Sequence, residues 1–482
     1  MRRLLVRKIF TPQACSITTQ VFLKSIEDIE VSLQTATNRR PELIRHGHRL
    51  FETEVLEDLP SAYSWEVAKK ICQIATTLRI SPVKSLLYSK VVKMSMDATP
   101  ESSTDLYALA RVIHSCLVLC SPFLYQVLFT FIPLFIKQAS NMNAISTAIL
   151  INAYGRAEVH HSALFQALCD SAAITFKSPQ VELTHIANVA HALYRVEFLH
   201  KPLMLVLREQ ASRMGKDAKP LVMVLLLDAF ARLGYTDDEI FSAYETRLID
   251  NLNDMKPQLF VSLLDCLATA GRATPTFMET AEKYIVAQAN AFNSVSISIT
   301  FHALFKANVL LEEAFGVLAE RACKLPSDFR AEEINHTLNA LSSFDLFDGE
   351  LFPLLASRFM TLIKQGNYVD IHEAAGILAS FAAVQERHDE LIHSCTQLFA
   401  VHIEGGMSPS SIVNALWACA ILNIRNEAQI KLLDHVRKNP RLLNLQTEPK
   451  GKLSERESSI LKERHDHVLK VCGIDSYVHS VS

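Results

Sequence analysis

The chain has 482 residues, of which 49% are apolar and 21% are charged, and its formal net charge is −3. This apolar fraction argues against disorder. With only 13 glycines and 17 prolines, the sequence lacks the turn residues that many short strands or a set of phosphate-binding loops require, so the composition favours helices.

The first 26 residues carry five basic side chains and no acidic one before Glu27. This pattern is typical of a mitochondrial transit peptide, and a basic surface arm is the alternative interpretation. Removal of residues 1–26 would leave 43 basic against 51 acidic residues, because five of the 48 basic residues lie in this segment. We therefore predict residence in the mitochondrial matrix, and a protein that is basic overall and binds nucleic acid by net charge is excluded.

From residue 28 to residue 440, the sequence repeats one unit, namely an apolar helix, a short connection and a second helix. A small anchor residue in each first helix recurs at spacings of 36 to 40 residues. This regularity predicts an all-α fold, a right-handed α-solenoid of about eleven helical hairpins, in which the anchors are buried between helices. The anchors are Ala36, Ala75, Ser115, Ala153, Ala192, Ala229, Cys266, Ala303, Ala340, Ala379 and Ala415.

Residues 112–136 lie within this array and contain no formal charge. The segment is also long enough to cross a bilayer as a helix. Pro122 and Pro133 interrupt the run, however, and polar residues are spread along it. Two buried helices, separated at Ser121 and Pro122, explain the segment better than a membrane span.

Ten cysteines are scattered singly through the apolar pattern, as buried small side chains in a reducing compartment would be. The closest grouping is His114, Cys116 and Cys120, whereas a structural zinc site needs four ligands. We predict no metal and no cofactor.

The residue before the anchor is Asn, Asp or His in eight of the eleven repeats. We call these residues the polar column, and Asn414 is one of them. In four repeats a cation follows four residues later, on the same helix face. One hypothesis is structural, with the cations stabilising helix ends and the column capping neighbouring turns. The other is that the column contacts RNA bases while the cations hold phosphates. The candidate RNA-binding residues are Asn152 with Arg156, His191 with Arg195, Asp228 with Arg232, and His302 with Lys306.

After the array, residues 441–482 are predicted to form a polar linker and one mixed-charge helix from about Ser454 to Cys472. The aligned basic residues, which follow the polar column by four positions, stop after Lys306. We therefore expect the C-terminal repeats, including Ala379, Trp417 and the C-terminal helix, to contact other proteins.

The phrases NALWACAILNIRNEAQ, DAFARLGYTDDEIF and NALSSFDLFDGELF resemble the degenerate repeats of organellar RNA-binding helical-repeat proteins, the FAST kinase-like, RAP and octotricopeptide group. The nearest resemblance is to the sixth, helical-repeat subunit of the kinetoplastid mitochondrial RNA-editing substrate-binding complex. It covers residues 28–440 and implies a non-catalytic scaffold that binds single-stranded RNA (guide RNA, mRNA or rRNA) together with protein subunits of a mitochondrial ribonucleoprotein complex. RAP proteins end in a nuclease-like domain, for which the C-terminal tail is too short.

The sequence contains no P-loop, dinucleotide-binding glycine pattern, zinc-protease motif or nucleophile elbow. We therefore predict that the protein is not an enzyme. Two classes of function remain, an RNA-binding subunit in RNA processing or editing, and a protein-only scaffold or assembly factor, for example of the mitochondrial ribosome.

Overall fold

The computed structural model describes residues 40–53, 63–215, 218–236, 238–403, 407–445 and 453–472, together with positions 24 and 28. These residues form 22 α-helices and contain no strand. The predicted all-α fold is therefore confirmed. The predicted transit peptide, apart from Lys24, and the first anchor, Ala36, lie outside the described residues.

The helices divide between two compact units, Met1–Ala229 and Phe230–Ser482. The first unit contains α1 (Arg40–Thr53), α2 (Trp65–Leu78), α3 (Leu86–Asp97), α4 (Ser103–Val118), α5 (Leu124–Gln138), α6 (Ala144–Arg156), α7 (Ser162–Thr175), α8 (Leu183–Arg195) and α9 (Lys201–Met214). The boundary falls in α10 (Pro220–Arg232). The second unit contains α11 (Asp238–Asp250), α12 (Pro257–Thr269), α13 (Pro275–Gln288), α14 (Ser294–Ala307), α15 (Glu312–Cys323), α16 (Ala331–Ser343), α17 (Leu351–Lys364), α18 (Ile371–Ala383), α19 (Asp389–His402), α20 (Pro409–Ile421), α21 (Glu427–Lys438) and α22 (Glu455–Cys472).

From α2 to α21, each even-numbered helix is the first helix of a hairpin and the next odd-numbered helix is the second. Within each unit, first helices pack against the first helices of neighbouring hairpins, and second helices pack against second helices. This sequential packing in two layers is that of an α-solenoid, as predicted. A single hairpin cannot bury its own apolar faces, so the stacking of neighbours supplies the core.

The anchor residues lie where first helices meet. All ten anchors within the described residues are at most 1% exposed, as predicted. Gly155, two residues after the anchor Ala153, marks a particularly close approach between α6 and α8. A methyl group added at Gly155 would lie 2.5 Å from Cβ and 2.7 Å from Cα of Ala192. Small residues therefore set the distance between these helices.

Each first helix from α2 to α20 ends in the same type of turn. A residue one or two positions after the last helical residue has φ between +51° and +77°. The next N–H donates to a carbonyl five residues back, as from Val159 to Tyr154 at 3.1 Å and from Phe198 to Leu193 at 3.0 Å. This is a Schellman motif, which satisfies carbonyls that the helix end leaves open. The left-handed residues are Arg79, Cys120, Glu158, Glu197, Gly234, Gly271, Asn308, Asp345, Gln385 and Asn423.

These turns provide a structural register that corrects the sequence alignment in three repeats. In seven repeats the left-handed residue follows the assigned anchor by five positions. In the other three, counting back five positions from the left-handed residue gives Ile74, Ser380 and Ala418 in place of the assigned anchors. Ala415 and Ala418 are both fully buried, so a small side chain alone does not identify the anchor. Asn414 consequently lies one helical turn before the polar column, and Trp417 occupies the column position.

The uncharged segment 112–136 forms the end of α4 and most of α5, with a turn between them. The prediction of two separate helices is confirmed. Over the described residues, no helix combines the length and the hydropathy that crossing a membrane requires.

Candidate interaction surface on the first helices

In the first unit, Arg156 and Arg195 lie at the ends of adjacent first helices and are exposed, while Asn152 and His191 are half-buried. Arg195 Nη1 donates to the backbone oxygen of Arg156 at 3.5 Å, so it reaches the end of the preceding first helix. Within the part of the chain that the structure describes, neither arginine forms an ion pair with a carboxylate. Their guanidinium groups are therefore available to an anionic ligand.

Arg111 belongs to the same surface and was missed by the sequence analysis. It lies one turn before His114 on α4, which packs against α6. Burial, followed by the charges of Arg111 and Arg156, lowers the pKa of His114 to about 4. Both arginines therefore act on the same half-buried imidazole. The i,i+3 spacing from Arg111 to His114 is the signal that could have identified it.

We expect the free energy of unfolding to fall as the pH decreases from 6.5 towards 4. His114 has a folded pKa near 4, below the unfolded value, so the unfolded state takes up the proton first. The contribution of His114 to the free energy of unfolding is complete above pH 6.5 and is lost as the pH falls towards 4. Over this range the free energy of unfolding changes by at most about 1.4 kcal/mol per pH unit.

Urea unfolding of the wild type and His114→Gln at pH 7 and pH 5 tests this. The variant should lose less stability over this interval. Since other histidines remain unchanged, the difference between the two proteins isolates His114. Equal losses would show that His114 does not contribute to the pH dependence.

In the second unit, Asp265 connects three first helices. Its side chain is 12% exposed, and its Oδ2 accepts from Arg232 Nη2 of α10 at 2.8 Å. Lys306 of α14 donates to Asp265 Oδ1 and also to Thr269 Oγ1, the latter at 2.9 Å. Two of the four candidate RNA-binding cations are therefore engaged by a carboxylate of the polar column, which supports the structural hypothesis for those two.

Helix α22 lies against the first helices of the second unit, where it packs on α20 and α14. Its Arg456 enters a socket formed by α14 and α16. The guanidinium donates to the backbone oxygens of Ser343 at 2.8 Å and Phe305 at 3.3 Å. It also lies 4.1 Å from the ring centroid of Phe344 and 4.9 Å from that of Phe305. Carbonyls and ring faces thus surround the charge.

Arg464 enters a second socket, on α20. Its Nη1 donates to Asn414 Oδ1 at 2.8 Å, and its guanidinium lies 4.5 Å from the Trp417 ring centroid. Burial lowers the pKa of Arg464 to about 10. An asparagine in the middle of an apolar helix is thereby explained, because Asn414 accepts a hydrogen bond from the chain's own C-terminal helix.

This arrangement corrects part of the expected protein interface. Ala379 is fully buried, so it cannot contact a partner. Trp417 is half-buried and lies beneath the Arg464 guanidinium. The burial of Ala379 follows from its place as an anchor residue. The position of Trp417 beneath Arg464 depends on a contact with a helix distant in the chain, which sequence periodicity does not indicate.

Between the two sockets, α22 covers His302, one of the candidate RNA-binding residues. The rings of His302 and His336 stack with centroids 4.2 Å apart, and Glu457 Oε1 lies 3.9 Å from His302 Nε2. Burial lowers the pKa of His302 well below its usual value, and His336, Lys306 and Arg232 lower it further. His302 is therefore neutral at physiological pH and shielded from a ligand in solution.

Among the described residues, no group of three or more His, Cys, Asp or Glu side chains is suited to hold a metal ion. The described cysteines are free thiols, and burial raises the pKa of Cys116 to about 11. His161, His200 and His388 instead serve as N-caps of second helices, where Nδ1 accepts a backbone N–H.

A comparison with models of protein families identifies one matching family. The model of the RNA-editing substrate-binding complex 6 protein matches residues 184–446, which is more than half of the chain. The match confirms the nearest resemblance drawn from the repeat motifs and does not address the wider FAST kinase-like and RAP group. A comparison with curated proteins gave no match. On the strength of the family match, the chain belongs to the RNA-editing substrate-binding complex 6 protein family.

Proposed function

We propose that this protein is a non-catalytic subunit of a mitochondrial RNA-editing substrate-binding complex. In the mitochondrial matrix it contacts single-stranded RNA and other protein subunits. Family membership supports the complex, and the acid-free N-terminal segment supports the compartment. The observation that carries the RNA contact is the pair of exposed arginines, Arg156 and Arg195, on adjacent first helices.

The proposed RNA surface is smaller than the original set of candidate residues. Adjacent packed helices lie about 10 Å apart, so cations at equivalent positions of α6 and α8 suit a strand that runs across the repeats. Asn152 and His191 offer hydrogen-bonding groups to bases on the same face. Arg111, on α4, extends the surface by one repeat. The cations Arg232 and Lys306 are excluded from it because Asp265 engages both.

Two matched double variants test this assignment in the full chain. Arg156→Gln with Arg195→Gln should weaken binding of a single-stranded RNA oligonucleotide and reduce the slope of log affinity against log salt by about 1.4, since each single-strand phosphate contact contributes about 0.7. Arg232→Gln with Lys306→Gln removes the same charge and should retain the RNA affinity while lowering stability. Fluorescence anisotropy over a range of salt concentrations measures both.

Two other outcomes would contradict this assignment. If only the variant of Arg232 and Lys306 lost RNA affinity, the RNA-binding site would have to be assigned to the second unit. Unchanged RNA affinity in both variants would support the alternative function, a scaffold that contacts proteins alone.

A further inference from the structure

The surface beneath α22 is suited to hold arginine side chains. We call it the arginine groove and define it by the socket residues Phe305, Ser343, Phe344, Asn414 and Trp417. The groups that meet α22 are two backbone oxygens, one amide oxygen and three ring faces. Each of these groups attracts a cation without carrying a full negative charge. A helix with arginines therefore fits this groove.

The groove is poorly suited to RNA. Lys306, which lies on α14 next to Phe305, already donates to Asp265 and Thr269. The carbonyl oxygens and ring faces of the sockets turn partial negative charge towards the arginines, and this charge would repel phosphates. The observations favour a protein ligand here rather than a nucleic acid.

Helix α22 places two arginines in the groove and fully buries few apolar side chains. Of its described residues, Leu461 and Val468 are the buried apolar ones, while Val471 is 59% exposed. The helix also lies beyond the family match, which ends at residue 446, whereas all five socket residues lie within it. The groove therefore belongs to the segment that defines the family, and its occupant in this chain does not.

We propose that the arginine groove is a docking site for an arginine-bearing helix of a partner subunit, and that α22 is an exchangeable occupant from the chain itself. The partner helix would present two arginines eight residues apart, as Arg456 and Arg464 are, which spans about 12 Å along a helix. An apolar side chain between them would take the place of Leu461. This inference adds a class of protein partner and does not depend on the RNA surface of the first unit.

The test uses the full chain and a fluorescent peptide of residues 453–472. The variant Arg456→Ala with Arg464→Ala should loosen α22, so the peptide should bind this chain at least tenfold more tightly than the wild type. The matched control, Lys462→Ala with Lys470→Ala, removes two exposed cations of the same helix and should bind the peptide as weakly as the wild type. A peptide carrying both arginine-to-alanine changes should not bind any of the three chains.

Adding Asn414→Ala to the loosened variant should reduce peptide binding again, because it removes the amide acceptor of the second socket. In the wild-type chain, excess unlabelled peptide should accelerate hydrogen exchange in α22, which tests exchange without any variant. Equal peptide binding by all chains, or unchanged hydrogen exchange, would overturn the proposal. Stronger binding of single-stranded RNA by the loosened variant would also overturn it, because the groove would then be a nucleic-acid site.

Discussion

Replacement of Gly155 by alanine is expected to lower the free energy of unfolding by about 3 kcal/mol. The added methyl group would meet both Cβ and Cα of Ala192 at distances below 3 Å. Because one of these atoms belongs to the backbone of α8, rotation of a side chain cannot relieve the clash. The helices must move apart, which weakens contacts on both sides of the interface. Urea unfolding followed by circular dichroism measures the change.

Gly316→Ala is the matched control for this variant. Gly316 lies in α15, and a methyl group added there meets no atom within 4 Å. The same substitution should therefore stabilise the protein, by about 1 kcal/mol or less, because alanine favours a helix over glycine. If Gly155→Ala matched the wild type in stability, the close approach of α6 and α8 would be refuted.

Asp265→Asn is expected to cost about 3 kcal/mol of folding stability, at the lower end of the range for breaking a buried ion pair. Asp265 and Lys306 side chains are each 12% exposed, and Arg232 is 31% exposed. The amide removes the carboxylate charge that Arg232 and Lys306 share in a site largely closed to water. The lower end of the range applies because Arg232 can turn partly towards solvent.

Asp389→Asn provides the comparison. Its pair with Arg387 has the same chemistry but is 79% exposed on the carboxylate side, so its loss should cost less than about 1 kcal/mol. Unfolding of both variants under identical conditions separates burial from charge. A similar small cost for the two variants would mean that the Asp265 network contributes little to stability.

The hairpin array was predictable because its determinants are local. The apolar periodicity of each helix and the recurring small residue produced the correct fold and the burial of the anchors. The register was wrong by one position in the repeats of Ala75 and Ala379, and by a whole turn in the repeat of Ala415, where α20 buries small residues on successive turns. Both Ala415 and Ala418 satisfy the pattern, and only the left-handed turn at Asn423 distinguishes them.

The candidate site was less predictable because its contacts are not local. The partners of Asp265 are 33 and 41 positions away in the chain, and helix periodicity does not indicate which repeat supplies the partner of a polar side chain. Arg456 meets Phe305 across 151 positions. The sequence indicated a C-terminal helix with charged residues, but nothing in it specified the surface that the helix covers.

Helix α22 also changes how the second unit should come apart. In an array of hairpins, each repeat interacts with its neighbours, so unfolding can begin at one end and proceed repeat by repeat. Helix α22 contacts α14, α16 and α20, so it links the hairpin that begins with α14 to the hairpin that begins with α20, and these two are not neighbours in the array. Unfolding of the last hairpin would therefore also weaken the packing of α22 on earlier hairpins. The fraying expected at the end of a repeat array is thus converted into a single cooperative step.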